Sequence, residues 1–141
     1  MEIIEIKEYQ PELLAALNRL LPQLSSTASP LTEPALKQIV ESTSSHLLMA
    51  AENNRYHGSL TLVVYKIPTG TRAWIEDVVV CSKARGRGHG SRLVKFALNL
   101  AKQLGAETVN LTSRASRETA NELYTKLGFE KRETNVYRYK I

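Results

Sequence analysis

The sequence contains one cysteine, Cys81, among 141 residues. No intramolecular disulfide can form, which fits a reducing compartment. Cys81 follows the apolar run Val78-Val79-Val80 and has no evident histidine partner, so a buried, inert thiol is expected rather than a nucleophile. No apolar run approaches the ~18 residues a membrane span needs. The opening MEIIEIKEY carries acids where a secretory signal would be basic and then apolar. A cytoplasmic protein without membrane association is therefore expected. Repeats, low-complexity stretches and long linkers are also missing, and the length suits a single domain over residues 1–141. Histidine is scarce. His46 and His57 lack metal-ligand spacing, and no metal site is expected. No nucleic-acid motif is recognisable, and the aromatics do not interleave with basic residues in a stacking pattern, so no nucleic-acid partner is expected.

Apolar residues make up 43% of the chain, enough for a core and too many for a disordered segment. The net charge is +5, unevenly distributed. Residues 1–80 hold 6 Lys and Arg against 9 Asp and Glu, whereas residues 81–141 hold 13 against 5. A basic second half suits an anionic ligand, although scattered surface lysines and arginines give the same balance.

Glu2 to Lys7 alternates apolar and charged residues and predicts a first strand. From Pro11, leucines 13, 17, 20, 21 and 24 recur at helical spacing behind a proline near the start. Thr32-Glu33-Pro34 opens a second, short helix. His46 to Glu52 and Tyr56 to Ile67 predict a hairpin turning at Asn53-Asn54, and Arg72 to Val80 a further strand after the turn Pro68-Thr69-Gly70. Leu93, Val94, Ala97, Leu98, Ala101 and Leu104 mark a helix stopped by Gly105. Glu107 to Thr112 predicts a strand and Glu118 to Leu127 a helix. Phe129-Glu130 and Val136 to Ile141 predict closing strands, in which Tyr137 and Tyr139 would serve packing or a homodimer contact. A strand–helix–strand crossover over 72–112 joins parallel strands, so the chain reads as an α/β domain with a mixed sheet.

The most informative stretch is Arg85-Gly86-Arg87-Gly88-His89-Gly90-Ser91, directly after a strand and directly before a helix. Glycine permits positive φ and close ligand approach. Successive N–H groups at a helix N-terminus form an anion site. Arg85 and Arg87 add forked donors suited to phosphate oxygens. A pyrophosphate ligand is expected, with the His89 side chain in solvent. A Walker A loop is excluded, because Gly90 is followed by Ser91-Arg92 and not by lysine with Ser or Thr. A dinucleotide fingerprint is excluded too, because the third glycine comes one position early.

Here the chain resembles the GNAT superfamily of N-acetyltransferases. That family's motif, Gln/Arg-x-x-Gly-x-Gly/Ala, is matched by Arg85, Gly88 and Gly90, and "IEDVVV" and "RETANELYTKLGF" look like their family counterparts. The resemblance covers 72–130 well and the remainder weakly. It implies a GNAT fold, with a mostly antiparallel central sheet, a splayed parallel strand pair and flanking helices. It implies acetyl-CoA as co-substrate and no metal. Main-chain groups of Val78, Val79 and Val80 would bind the pantetheine arm, and the Val78 N–H would be the oxyanion donor. Arg85, Gly86, Arg87, Gly88, His89, Gly90 and Ser91 would hold the pyrophosphate. Arg117 stands where the family often has a cofactor-contacting asparagine; it would meet a phosphate or remain solvated.

Acetyl transfer to an amine needs a base, an oxyanion donor and help for the leaving thiolate. Adjacent strand residues point to opposite faces, so of Glu76 and Asp77 one should face the thioester. Glu76, taken as in phase with Val78 and Val80, resembles the base or amine contact of diamine and amino-sugar acetyltransferases. Asp77 is left as an acceptor contact or a structural carboxylate. Trp74 alternates with Glu76 and either lines the acceptor pocket or joins the core. Tyr124 lies beside the helical stripe Ala120, Leu123 and Leu127, where a core tyrosine with a satisfied hydroxyl would also fit. The resemblance makes it a donor to the CoA sulfur. A small-molecule primary amine is the expected acceptor, favoured by the acidic balance of the first half. A protein or peptide amine and a non-catalytic acyl-CoA-binding module are the competing readings.

Overall fold

A computed structural model describes residues 1–141, which divide into two compact units, Met1–Leu111 and Thr112–Ile141. The first contains β1 (Glu2–Glu5), α1 (Pro11–Leu24), α2 (Glu33–Glu41), β2 (Ser45–Glu52), β3 (Arg55–Ile67), β4 (Gly70–Val80), α3 (His89–Gln103) and β5 (Thr108–Asn110). The second contains α4 (Glu118–Lys126).

The sheet runs β1-β2-β3-β4-β5, antiparallel except for the parallel pair β4–β5. The mixed sheet expected from the sequence is thus present. Asn53 and Asn54 both have positive φ (52° and 60°), as a two-residue type I′ hairpin demands. Thr32 caps α2 by accepting from the Ala35 N–H at 3.3 Å. Asn18 on α1 clamps the approach to α2: its Oδ1 accepts from Leu31 N at 2.7 Å, and its Nδ2 donates to Leu31 O at 2.9 Å.

Strand register sorts the side chains. Leu47, Met49, Thr61, Val63 and Val79 share one face. On that face Leu13, Leu17 and Leu20 of α1 and Leu36 of α2 close a core with Leu47, Met49 and Val79. Burying each such leucine contributes about 1.5–3 kcal/mol. Leu48, Leu60, Leu62, Ala73 and Ile75 share the opposite face, against which α3 packs with Leu93, Val94, Ala97 and Ala101 buried. Leu93 comes so close to Gly58 that a Cβ there would stand 3.1 Å from its Cδ1. The sheet is therefore covered on both faces by amphipathic helices.

The closing strands do not form. Residues 129–141 have no regular secondary structure, and Tyr137, Tyr139 and Ile141 are exposed. An alternating apolar segment becomes a strand only when a neighbour supplies its hydrogen bonds, and the second unit contains no strand. β5 is also shorter than the expected Glu107 to Thr112.

Candidate active site

Two irregularities of β4 build the site. The first is a bulge. Ser59 pairs with Val79 and Thr61 with Glu76, so Asp77 and Val78 together stand opposite Leu60. Asp77 takes φ 50°, a left-handed conformation that aspartate tolerates better than most residues. The extra residue breaks the alternation. Glu76 shares its face with Trp74 and Val79, while Val80 lies on the other face. The expected phase of Glu76 with Val78 and Val80 is thereby corrected. Both acids of the pair are exposed, and neither makes a hydrogen bond or an ion pair. The second irregularity is a splay. β5 pairs with β4 only at Arg72, Ala73 and Trp74, so Ile75 to Val80 have no neighbour on that side. A free strand edge of this kind can accept an extended, amide-bearing ligand. Trp74 is half-buried, and its Nε1 donates to the Tyr65 hydroxyl at 2.9 Å, which fixes the indole.

The loop after β4 begins with a 3₁₀ turn at Ser82–Ala84, anchored by Ser82 N donating to Gln23 Oε1 at 2.8 Å. Cys81 is half-buried rather than buried. A hydrogen bond with the Lys83 backbone lowers its thiol pKa, and burial opposes that shift. Gly86 and Gly88 take φ 78° and 83°, and nothing lies within 4 Å of where a Cβ would project at either. The backbone is thus open to a ligand. The N–H groups of His89, Gly90 and Ser91 precede the first helical bond, Arg92 N to Gly88 O at 3.1 Å, and are available as donors. Both arginines are engaged within the chain. Arg85 Nε donates to Val80 O at 3.2 Å, and Arg87 Nη2 pairs with Glu52. An open loop, orphan N–H groups and two guanidinium groups fit a diphosphate.

His89 is not in solvent. It is 2% exposed and begins α3. The signal was present in the spacing, because His89 lies one helical repeat before Leu93, Ala97 and Ala101 on the stripe that faces the sheet. Its burial lowers its pKa, an effect opposed by Glu52 and reinforced by Arg87 and His57.

In the second unit, Tyr124 is 7% exposed and meets the Phe129 ring edge-on, with centroids 5.7 Å apart. Its hydroxyl makes no hydrogen bond within the chain and is not sealed from solvent. Burial raises its pKa, tempered by Arg117, so the hydroxyl remains a donor at neutral pH. Arg117 is the exposed N-cap residue of α4. A shallow depression of about 530 Å³, lined by Ala115, Glu118, Asn121, Glu122, Thr125 and Lys126, contains none of the expected site residues. No group of three or more His, Cys, Asp or Glu side chains is placed to hold a metal ion.

A splayed parallel pair, a bulged strand and a glycine-rich loop opening a helix together define an acetyl-CoA-binding fold of the N-acetyltransferase class. The chain belongs to the acetyltransferase (GNAT) family, whose model matches residues 13–129. It is 36% identical over 64 residues to the uncharacterized N-acetyltransferase YhdJ of Bacillus subtilis (strain 168), a match covering 45% of each chain. It is 24% identical over 139 residues to N-alpha-acetyltransferase 30 of Schizosaccharomyces pombe, covering 97% of this chain and 90% of that one. The fold matches that of an aminoglycoside acetyltransferase from an uncultured soil metagenomic sample, in complex with sisomicin, with TM-score 0.87, 19% identity and coverage of 99% and 95%.

Proposed function

We propose that the protein transfers the acetyl group of acetyl-CoA to a primary amine of a small molecule, by direct attack of the amine on the thioester. The observation that carries this reading is the bulged, unpaired end of β4, where Glu76 stands exposed with no partner inside the chain. An uncommitted carboxylate beside a strand edge suited to the pantetheine arm is placed to take a proton from an incoming ammonium. Glu76 is the base in this reading, acting directly or through a water, and Asp77 and Trp74 are acceptor contacts. As nitrogen bonds to the carbonyl carbon the C–S bond breaks, and the Tyr124 hydroxyl offers its proton or a hydrogen bond to the departing sulfur, a role taken from the family motif. The Val78 N–H stabilises the oxyanion. Val78, Val79 and Val80 align the pantetheine arm, and residues 85–91 hold the diphosphate, with Arg117 a further phosphate contact.

The acidic balance of residues 1–80 favours a cationic acceptor, and the aminoglycoside acetyltransferase shows that this fold serves a small acceptor in another protein. A peptide N-terminus is the second reading, supported by the nearly full-length match to N-alpha-acetyltransferase 30. Acetyl-CoA consumption across a panel of polyamines, amino sugars, amino acids and peptides tests both. Turnover confined to small amines is expected. Turnover confined to peptides moves the assignment to the second reading, and none with any acceptor indicates a non-catalytic acyl-CoA-binding module.

A further inference from the structure

His89 is the buried titratable group that this chemistry leaves unused. Both ring nitrogens are inaccessible and without a hydrogen-bond partner. A buried imidazole always carries at least one N–H, and an orphaned polar pair of this kind requires an explanation. Three groups surround it. Glu52, from the end of β2, holds its Oε2 at 3.6 Å from His89 Nε2, just beyond hydrogen-bond length. The His57 ring, from the bulge in β3, lies 5.8 Å away between centroids, and its Nε2 donates to the Glu52 carbonyl at 3.2 Å. Arg87, from the phosphate loop, pairs with the same Glu52 Oε2 that faces His89. One carboxylate oxygen thus stands between two donors and satisfies only Arg87.

We propose that Glu52 is the pivot of a partner exchange that couples cofactor binding to protonation of His89: a diphosphate draws Arg87 off Glu52, and Glu52 then closes on His89 Nε2, which takes up a proton. The inference rests on the reading of residues 85–91 as the diphosphate site. The Arg87 side chain is half exposed, so its bond to Glu52 is weak and a doubly charged diphosphate displaces it. The released carboxylate would then be near a buried imidazole and lacking its countercharge, a situation that favours imidazolium. The closed pair would brace the first turn of α3 in the geometry that presents its N–H groups to phosphate. His89 and Glu52 are positioning residues here, acting through Arg87 and the helix terminus.

The sign is fixed. In the free protein burial holds the His89 pKa low, and the exchange raises it, so CoA binding takes up protons and tightens as pH falls. Calorimetry of CoA binding in buffers of different ionisation enthalpy measures this, with wild type compared with Arg87→Ala and His89→Asn. In Arg87→Ala the carboxylate is free before CoA arrives, and in His89→Asn nothing titrates. Both variants should take up fewer protons than wild type. From pH 8 to pH 6 the wild-type affinity should gain roughly three- to tenfold relative to either variant. The phosphates of free CoA titrate identically in all three experiments, and His89→Asn, which keeps Arg87 for the diphosphate, is the control for those of bound CoA. Arg87→Ala alters an exposed side chain, so the comparison stands even if His89→Asn does not fold. CoA binding with the same proton count in wild type and Arg87→Ala overturns the exchange and leaves the diphosphate site intact. Absence of CoA binding by wild type overturns both.

Discussion

Between Arg72 and Trp74, β4 has partners on both sides, whereas from Ile75 to Val80 it keeps only β3. The first stretch and its neighbour Ile75 obey strict alternation, with Ala73 and Ile75 buried and Trp74 turned to the other face. After Ile75 the second stretch presents two exposed acids, the second of them left-handed, and leads into an open loop. Hydrogen bonds satisfied within the sheet make a scaffold, while hydrogen bonds left unsatisfied make a place for a ligand. Substitutions before the bulge should therefore cost stability, and substitutions at it should cost chemistry.

Ile75→Ala is expected to give the largest effect. Ile75 is 3% exposed and lies on the face covered by α3. Truncating a buried isoleucine to alanine costs about 2–5 kcal/mol, a large share of a typical domain stability of about 5–15 kcal/mol. The melting temperature should fall by roughly 10 °C. CoA affinity below the transition should stay near wild type, because the backbone of residues 78–80 is unaltered. A variant that melts normally but loses CoA would reverse the assignment of the two stretches.

The isosteric change Glu76→Gln should do the opposite. Glu76 is exposed and unpaired, so melting should be unchanged. General-base catalysis contributes about 10²–10⁴-fold, and a loss of roughly 10²–10³-fold at neutral pH is expected. Above pH 9 the deficit should shrink, because an amine of pKa near ~10.4 then supplies more of its own free base. A mutant with the wild-type rate and pH profile would remove Glu76 from the site. Suspicion would then move to Asp77 or a water chain.

How much of this was legible follows the same division. The helices, the Asn53-Asn54 hairpin and the parallel pair were readable because each rests on a local signal: helical spacing, positive-φ turn residues, or a crossover. The glycine-rich loop was readable because its geometry demands glycine. The bulge was not read, because alternation assumes one residue per step. Its trace is nonetheless present, since Glu76-Asp77 sets two successive charges between the apolar runs Ala73-Trp74-Ile75 and Val78-Val79-Val80. The expected solvent exposure of His89 treats it as part of the phosphate loop, whereas the stripe through Leu93, Ala97 and Ala101 extends back to it. The closing strands were over-read, because alternation in 136–141 reports a propensity and not a partner.

The smallest expected effect tests why Asp77 occupies the bulge. A non-glycine residue in the left-handed region costs roughly 1–2 kcal/mol, and aspartate tolerates that region better than most residues. Asp77→Gly removes the strain but adds freedom to the unfolded chain, a penalty of roughly 0.5–1 kcal/mol. The two terms nearly cancel, and a gain of about 0–1 kcal/mol is expected. Asp77→Ala keeps the left-handed backbone and loses aspartate's greater tolerance of it, so it should melt below wild type by about 1 kcal/mol. Thermal melts of the three proteins give the order Gly at or above Asp, and Asp above Ala. If glycine destabilises as much as alanine, the carboxylate itself holds the bulge and Asp77 belongs to the scaffold. If the order holds, the bulge rests on backbone conformation and the carboxylate is free to meet the acceptor. In that case KM for the amine should rise in both variants by a similar factor, while CoA affinity stays level. The bulged end of β4 would then carry its acid for the substrate, at a position where glycine would serve the fold as well or better.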